Sequence, residues 1–223
     1  MADEILSLQM QAMQKEDYYN VMSSLPTWKD KQLHKFHEET QEAIKRGVVV
    51  RRIFNRLRYP EAEENLSLNE TRRILQSHLA NTRNWNEKGK YEVKILSAAD
   101  LKKDESLRDW AHTAHFGIFK HGNESICYGV KQADLSHMMI VKNKTIVDSE
   151  QKLFDDAWAV ASDLTEPLIS DIIREIEEQQ KQQTKAQYED MMAAQQETAD
   201  GQNTAESTTP SGPQDAGTSP LRT

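Results

Sequence analysis

One cysteine, eight glycines and no long apolar run are what this sequence offers least of, and each scarcity excludes something. Cys127 has no second thiol to pair with, so an internal disulfide is excluded and a reducing compartment is its natural setting. With so little glycine, the chain carries no phosphate-cradling loop, no dinucleotide fingerprint and no Gly-x-Ser-x-Gly nucleophile elbow. No stretch approaches the roughly 20 apolar residues that a membrane helix needs. Asp3 and Glu4 stand where a signal peptide would be basic. We therefore expect a cytoplasmic chain with no membrane contact, no cofactor and no metal.

What is present is enough chain for one ordinary core. The sequence has 223 residues and a net charge of -8, which argues against the whole chain being a nonspecific nucleic-acid binder. From Asp171 onward there are about 10 acidic and 4 basic side chains, so most of the excess negative charge lies there and the rest is nearly balanced. From Gln179 the chain turns Gln-rich, and then rich in Gly, Ser, Thr, Pro and Asp. Such a composition buries too little apolar surface to offset its ordering entropy. The expected organisation is a domain over 1–165, a helical extension over 166–197 and a disordered acidic and polar tail over 198–223.

Periodicity supplies the elements. Ile5, Leu8, Ala12 and Met13 recur at helical spacing, and Tyr18 to Met22 reads as a strand. A helix carrying Leu33, Phe36, Ala43 and Ile44, capped at its start by Asp30, ends at Gly47. The dense β-branched run Val48 to Phe54 then reads as a buried strand, completing a βαβ unit with parallel strands. Ser67 and Glu70 fit a capping box ahead of a helix with Leu68, Ile74, Leu75 and Leu79 on one face. A half-buried strand spans Tyr91 to Leu96, followed by a polar connection with a short helical turn over Asp100 to Leu107. Three short antiparallel strands span His115–Phe119, Ser125–Lys131 and His137–Val141. A long helix runs from Ser149 with Leu153, Phe154, Ala157, Trp158 and Ala161 inward, and Pro167 kinks it or starts a second one. The fold class is α/β, a mixed sheet with flanking helices.

Leu168, Ile169, Ile172, Ile173 and Ile176 form a narrow apolar stripe that suits a partner helix, within the domain or on a second subunit. We take it as the candidate for self-association, and hence for a homo-oligomer.

Chemistry-bearing residues are fewer. His112, His115 and His121 have metal-like spacing, but no cysteine or acidic residue falls within their run, and ordinary polar roles are the simpler reading. Arg51 and Arg52 point to opposite faces of their strand. Arg52 and Arg56, near its carboxyl end, have the guanidinium forks that recognise phosphate, sulfate or carboxylate. Salt bridging to Glu61, Glu63 and Glu64 is the plainer alternative, and the one we favour. Cys127, mid-strand among apolar residues, reads as a buried inert thiol.

The order of these elements resembles something specific. A strand ending in Val21-Met22-Ser23-Ser24 leads to a helix closing in Glu42-Ala43-Ile44-Lys45-Arg46-Gly47. Val48 to Phe54 follows, and later come His115-Phe116-Gly117-Ile118-Phe119 and Leu153-Phe154-Asp155-Asp156-Ala157-Trp158. Over residues 4–165 this resembles one phospholipase D-like domain of the regulatory kind found in bacterial and archaeal proteins. Catalytic members carry His-x-Lys-x4-Asp, in which the histidine attacks phosphorus. Here His115 matches the histidine, but Gly117 takes the lysine position and Gly122 the aspartate position. A phosphoryl transition state needs the lysine's charge. The resemblance therefore implies a non-catalytic domain that senses an anionic ligand or contacts a protein, with Ser23, Arg52, Ser97 and His115 as pocket residues. The alternatives are phosphodiester hydrolysis through His115 and nucleic-acid binding through Arg51 to Arg73, the latter not favoured.

Overall fold

The computed structural model describes residues 2–25, 34–57, 66–85, 90–130 and 138–205. In chain order the elements are α1 (Ala2–Ala12), β1 (Tyr18–Ser23), α2 (His34–Arg46), β2 (Val49–Asn55), α3 (Leu68–Trp85) and β3 (Tyr91–Leu96). Two 3₁₀ turns (Asp100–Lys102 and Glu105–Leu107) lead to α4 (Arg108–Thr113), β4 (Phe116–His121), β5 (Glu124–Val130) and β6 (Met138–Val141). α5 (Lys144–Val160), β7 (Ser162–Asp163) and α6 (Glu166–Ala205) complete the chain. The chain divides into a unit spanning Met1–Glu177 and a second spanning Glu178–Thr223, of which the helix through Ala205 is described.

The first unit is the expected α/β fold. Its seven strands form one mixed sheet in the order β6-β5-β4-β1-β2-β3-β7. β1, β2 and β3 are parallel neighbours, while β4 lies antiparallel to β1, β5 to β4, β6 to β5 and β7 to β3. Alternation along the strands splits the interior in two. Tyr19, Val21, Val50, Phe54, Tyr91, Val93 and Ile95 face a core shared with α1, α2, α3 and the start of α6. Met22, Ile53, Leu96, Phe116, Ile118 and Cys127 face a second core closed by α4 and α5. β2 is buried on both faces along its second half, which is why Ile53 and Phe54 are both apolar although they face opposite sides of the sheet.

Local signals set the element ends. Gly47 has φ +110°, and its N–H donates to the Ile44 carbonyl while Val48 N–H reaches back to that of Ala43, a Schellman closure of α2. Glu70 N–H donates to Ser67 Oγ and Ser67 N–H to Glu70 Oε2, the reciprocal pair of a capping box. Asp30 lies outside the described residues, and Asp3 of α1 accepts from the Phe36 N–H at the start of α2 instead.

Several expectations shift. His115 precedes β4 rather than belonging to it, and Lys131 and His137 lie outside the described residues. α5 begins at Lys144, where Asn143 Oδ1 caps the Ile146 N–H, and it stops at Val160. Pro167 then sits in the first turn of a new helix, where its missing N–H is harmless.

The larger correction concerns the isoleucines. Ile169, Ile172, Ile173 and Ile176 are at most 6% exposed and pack into the first core, with Leu168 half-buried against it. The partner of this stripe is the chain's own sheet, so these side chains are not available for self-association. The domain accordingly runs to Glu177 rather than 165. Of the expected tail, residues 198–205 fall within α6 and 206–223 lie outside the described residues. Among the described residues, no helix is long and apolar enough to cross a membrane.

Two buried carboxylates tie distant segments together. Asp17 accepts from Gln14 N–H and Gly122 N–H and pairs with His121, joining the end of α1 to the β4–β5 turn. Asp100 accepts from Ser97, Ser162 and Lys103. Burial pushes both acids up, but these hydrogen bonds outweigh it and hold both below the ordinary 3.8. A carboxyl depressed in the folded state contributes stability above its unfolded pKa, and that stability is lost as pH falls through the folded value. Unfolding free energy measured in urea should therefore drop below about pH 4. Asp17→Asn with Asp100→Asn should cost about 1–3 kcal/mol per site at neutral pH and flatten that acid limb. Parallel pH curves for the two proteins would refute this assignment.

Candidate functional site

The parallel pairing of β1 and β2 brings two of the four anticipated pocket residues together. Ser23 ends β1, and Arg52 lies on β2 opposite Val21. Arg52 Nη1 donates to Ser23 Oγ at 3.1 Å, with both residues buried. His115, also buried, comes one position before Phe116, which pairs with Met22, so the antiparallel order sets His115 beside Ser23. Ser97 does not join them. It lies beyond β3, with β2 between it and Ser23, and its N–H and hydroxyl both donate to Asp100 Oδ2.

Arg52 reaches a second setting that the sequence did not announce. Between α2 and α3 a cleft of about 40 Å³ opens over the sheet. A water needs about 10–15 Å³ of such space, so the volume suits about three waters or one small oxyanion. Its floor is Thr40, Ile44, Arg52, His78 and Tyr91, all buried, and its rim is His37, Gln41, Asn81 and Trp85. His78 Nδ1 lies 2.5 Å from Tyr91 Oη, and the Tyr91 hydroxyl is also a hydrogen-bond partner of Arg52. Burial, then the neighbouring Arg52 and His37, hold His78 well below its ordinary 6.5, so its imidazole is neutral. Burial raises Tyr91, against the opposing pull of Arg52, so this phenol remains a donor. Beside it, Tyr19 and Tyr128 share a 2.5 Å hydroxyl contact, and burial pushes both above the ordinary phenol value.

Helical and strand periodicity carried a signal for these residues. His78 falls in step with the inward Ile74, Leu75 and Leu79 of α3, a polar ring on an apolar face. Tyr91 opens the alternation of β3. Their convergence on Arg52 required the packing of α2 and α3 on one side of the sheet.

Gly117 and Gly122, set against the lysine and aspartate positions in the expected resemblance, each have a structural cause of their own. A Cβ at Gly117 would lie 2.4 Å from Cε1 and 2.6 Å from Cζ of Tyr128, whose ring covers the position. Gly122, at φ +56°, is the first of two residues in the β4–β5 turn, where a hairpin of the II′ kind needs glycine. Lys120 pairs with Tyr18 at the opposite end of β4, its ammonium 5.0 Å from that ring, so it is remote from His115.

Other candidates disperse. His112 is exposed at the end of α4, His115 is buried, and His121 bonds Asp17 at the far end of β4. Among the described residues no three metal-ligating side chains cluster. Arg51 lies on the opposite face from Arg52, bonded to Asn20 and Asp155 with its guanidinium over Phe154 and Trp158. Arg56 pairs with Glu175, and Arg46 donates to the Met10 and Met13 carbonyls. Arg72 and Arg73 are exposed on α3, while Arg58 and the Glu61, Glu63 and Glu64 cluster lie outside the described residues. The arginines thus occupy both faces of the sheet rather than one surface. Cys127 is buried, and burial with the nearby Glu150 charge pushes its thiol up to about 12, which leaves it without nucleophilic thiolate.

No family model matches the chain, and no curated protein matches it. Among solved structures it is similar to TrmBL2, an archaeal chromatin protein whose structure shows a novel mode of DNA binding, with 12% identity and a TM-score of 0.42. The alignment covers 73% of this chain and 50% of that one, so the chain spans about half the length of that neighbour.

Proposed function

We propose that the chain is a non-catalytic phospholipase D-like domain that binds a small oxyanion group (carboxylate, phosphate or sulfate) in the cleft between α2 and α3. The observation that carries this reading is Arg52, a guanidinium only 2% exposed that nevertheless forms part of the cleft floor. Guanidinium N–H groups are the donors that oxyanion oxygens recognise, and here they border an open space. Gln41 and Asn81 add amide donors at the rim, and the Tyr91 hydroxyl a further one. Against hydrolysis stands the site of the motif lysine, filled by the Tyr128 ring, and the distance of Lys120 from His115. Binding to such a pocket would serve a regulatory or sensing role.

Thermal unfolding with sodium sulfate, phosphate or acetate, against chloride at matched ionic strength, tests this. A ligand at 100 times its dissociation constant adds about 2.7 kcal/mol, or about 5–11 °C for a domain of this size. Arg52→Met should abolish the shift. Asn81→Leu, on the half-buried rim, should weaken it without lowering the melting temperature in chloride. No shift with any oxyanion would sink the reading.

A further inference from the structure

We propose that the β6 edge of the sheet is a self-association surface, at which a second copy of this chain adds its own β6 antiparallel and continues the sheet across a two-fold axis. The inference stands on strand register and on two exposed side chains, independently of the oxyanion cleft.

The sheet ends differently on its two sides. β7 is two residues long and carries Asp163, and short length and charge are how natural sheets guard an edge. β6 has no such guard. Met138-Met139-Ile140-Val141 holds no charge, proline or glycine, and among the described residues no strand lies beyond it. Its outer two residues anchor it, Met138 on the first core and Val141 on the second. Met139 and Ile140 are left over, 51% and 46% exposed, and alternation puts them on opposite faces of the sheet.

The backbone determines what can cover this edge. A two-residue turn closes the β4–β5 hairpin, so the flanking pair His121 and Glu124 is hydrogen-bonded and the bonding alternates from there. Cys127 and Gly129 therefore turn their N–H and C=O groups towards β6, where they meet Val141 and Met139. It follows that Met138 and Ile140 direct theirs outward. Such a row of donors and acceptors is matched by another strand rather than by an apolar surface.

Charge selects the partner and its direction. Lys142 follows β6 directly and is exposed. Antiparallel pairing with Ile140 opposite Ile140 of the second copy sets Met139 against Val141 and Met138 against Lys142, so both exposed apolar side chains meet apolar ones. The two Lys142 charges then stand about 13 Å apart along the strands, beyond the roughly 10 Å screening length at 0.1 M salt. Parallel pairing would set them side by side, where they repel. A strand apolar throughout, with a cation at one end, is thus complementary to its own reversed copy.

Sedimentation of the full chain tests this. Its average mass should rise from one chain towards two between about 10 µM and 1 mM, since a ladder this short buries less than the roughly 1,200 Å² of a standard interface. Ile140→Lys, which places a charge on the axis, should hold one chain per particle over that range with an unchanged melting temperature. Ile140→Cys should cross-link to a covalent dimer under mild oxidation. Hydrogen-bonded partners stand about 5.5 Å apart at Cα, inside the roughly 4.4–6.8 Å that a disulfide spans. Lys142→Cys should not cross-link, because its two copies lie too far apart, and the buried Cys127 takes no part. One chain per particle at every concentration overturns the proposal, and so does a dimer that Ile140→Lys leaves intact. Equal cross-linking of both cysteine variants overturns the two-fold arrangement, because parallel strands in register are what bring both positions together.

Discussion

Cutting the chain after Leu164 should leave no cooperatively folded protein. The truncation removes Ile169, Ile172, Ile173 and Ile176, all buried in the core formed with β2, β3 and α3. Loss of one buried isoleucine side chain costs about 2–5 kcal/mol. Four together exceed the roughly 5–15 kcal/mol by which a domain is stable at all. Loss of the Arg56–Glu175 ion pair adds a further cost. A cut after Lys185 keeps the isoleucines and two further helical turns, and should preserve a single sharp urea transition. Circular dichroism separates these outcomes, and light scattering adds a second discrimination. A Leu164 truncation that still unfolds cooperatively, and scatters as one chain per particle where the full-length protein scatters as two, would mean that the stripe is a subunit interface after all. The single change Ile172→Asp gives a gentler version, because it buries a charge without removing backbone.

Substituting Gly117 should also destabilise the fold, and for a reason local to one ring. The Tyr128 ring lies where a Cβ would sit, and the hydroxyl contact with Tyr19 and the packing of Phe119 hold the ring in place. Gly117→Ala should therefore reach the upper end of the roughly 1–3 kcal/mol typical of overpacking, lowering the melting temperature by about 6–12 °C. Gly117→Lys, with a longer side chain at the same crowded position, should destabilise further. In a Tyr128→Ala background the added cost of Gly117→Ala should nearly vanish, because the clashing atoms are gone. Additive losses in that double-mutant cycle would show that the ring is not the cause. The two effects arise in different places, one from lost burial on α6 and one from a clash between β4 and β5, so each can fail without the other.

How far the sequence reaches differs between the fold and the site. β1, α2, β2 and β3 were readable because their signals are local: the β-branched run before Phe54, the glycine that closes α2, and the Ser67–Glu70 box. The two-residue β7 was not readable, since a strand so short exists only by pairing with Lys94 and Ile95. The apolar stripe on α6 was visible as a stripe, yet periodicity reports that a face is apolar and not what covers it. The same limit applied to Ser97. It stood at the mouth of a strand, as a pocket residue would, but its neighbour Asp100 claims both of its polar groups.

Arg52 illustrates the division most directly. Its position on a buried strand, facing away from Arg51, follows from alternation alone, and so does the inward placement of His78 on α3. The sequence by itself therefore determined the class of fold, the order and type of most elements, and the odd polar residues lodged among apolar ones. Tertiary structure alone decided which of those polar residues meet. Arg52, Tyr91 and His78 come from a strand, its parallel neighbour and the helix between them, and only the crossover of α3 over the sheet brings their side chains within reach. Local propensity acts over a few residues, whereas the contacts that make a site are set by how burial packs one layer on another.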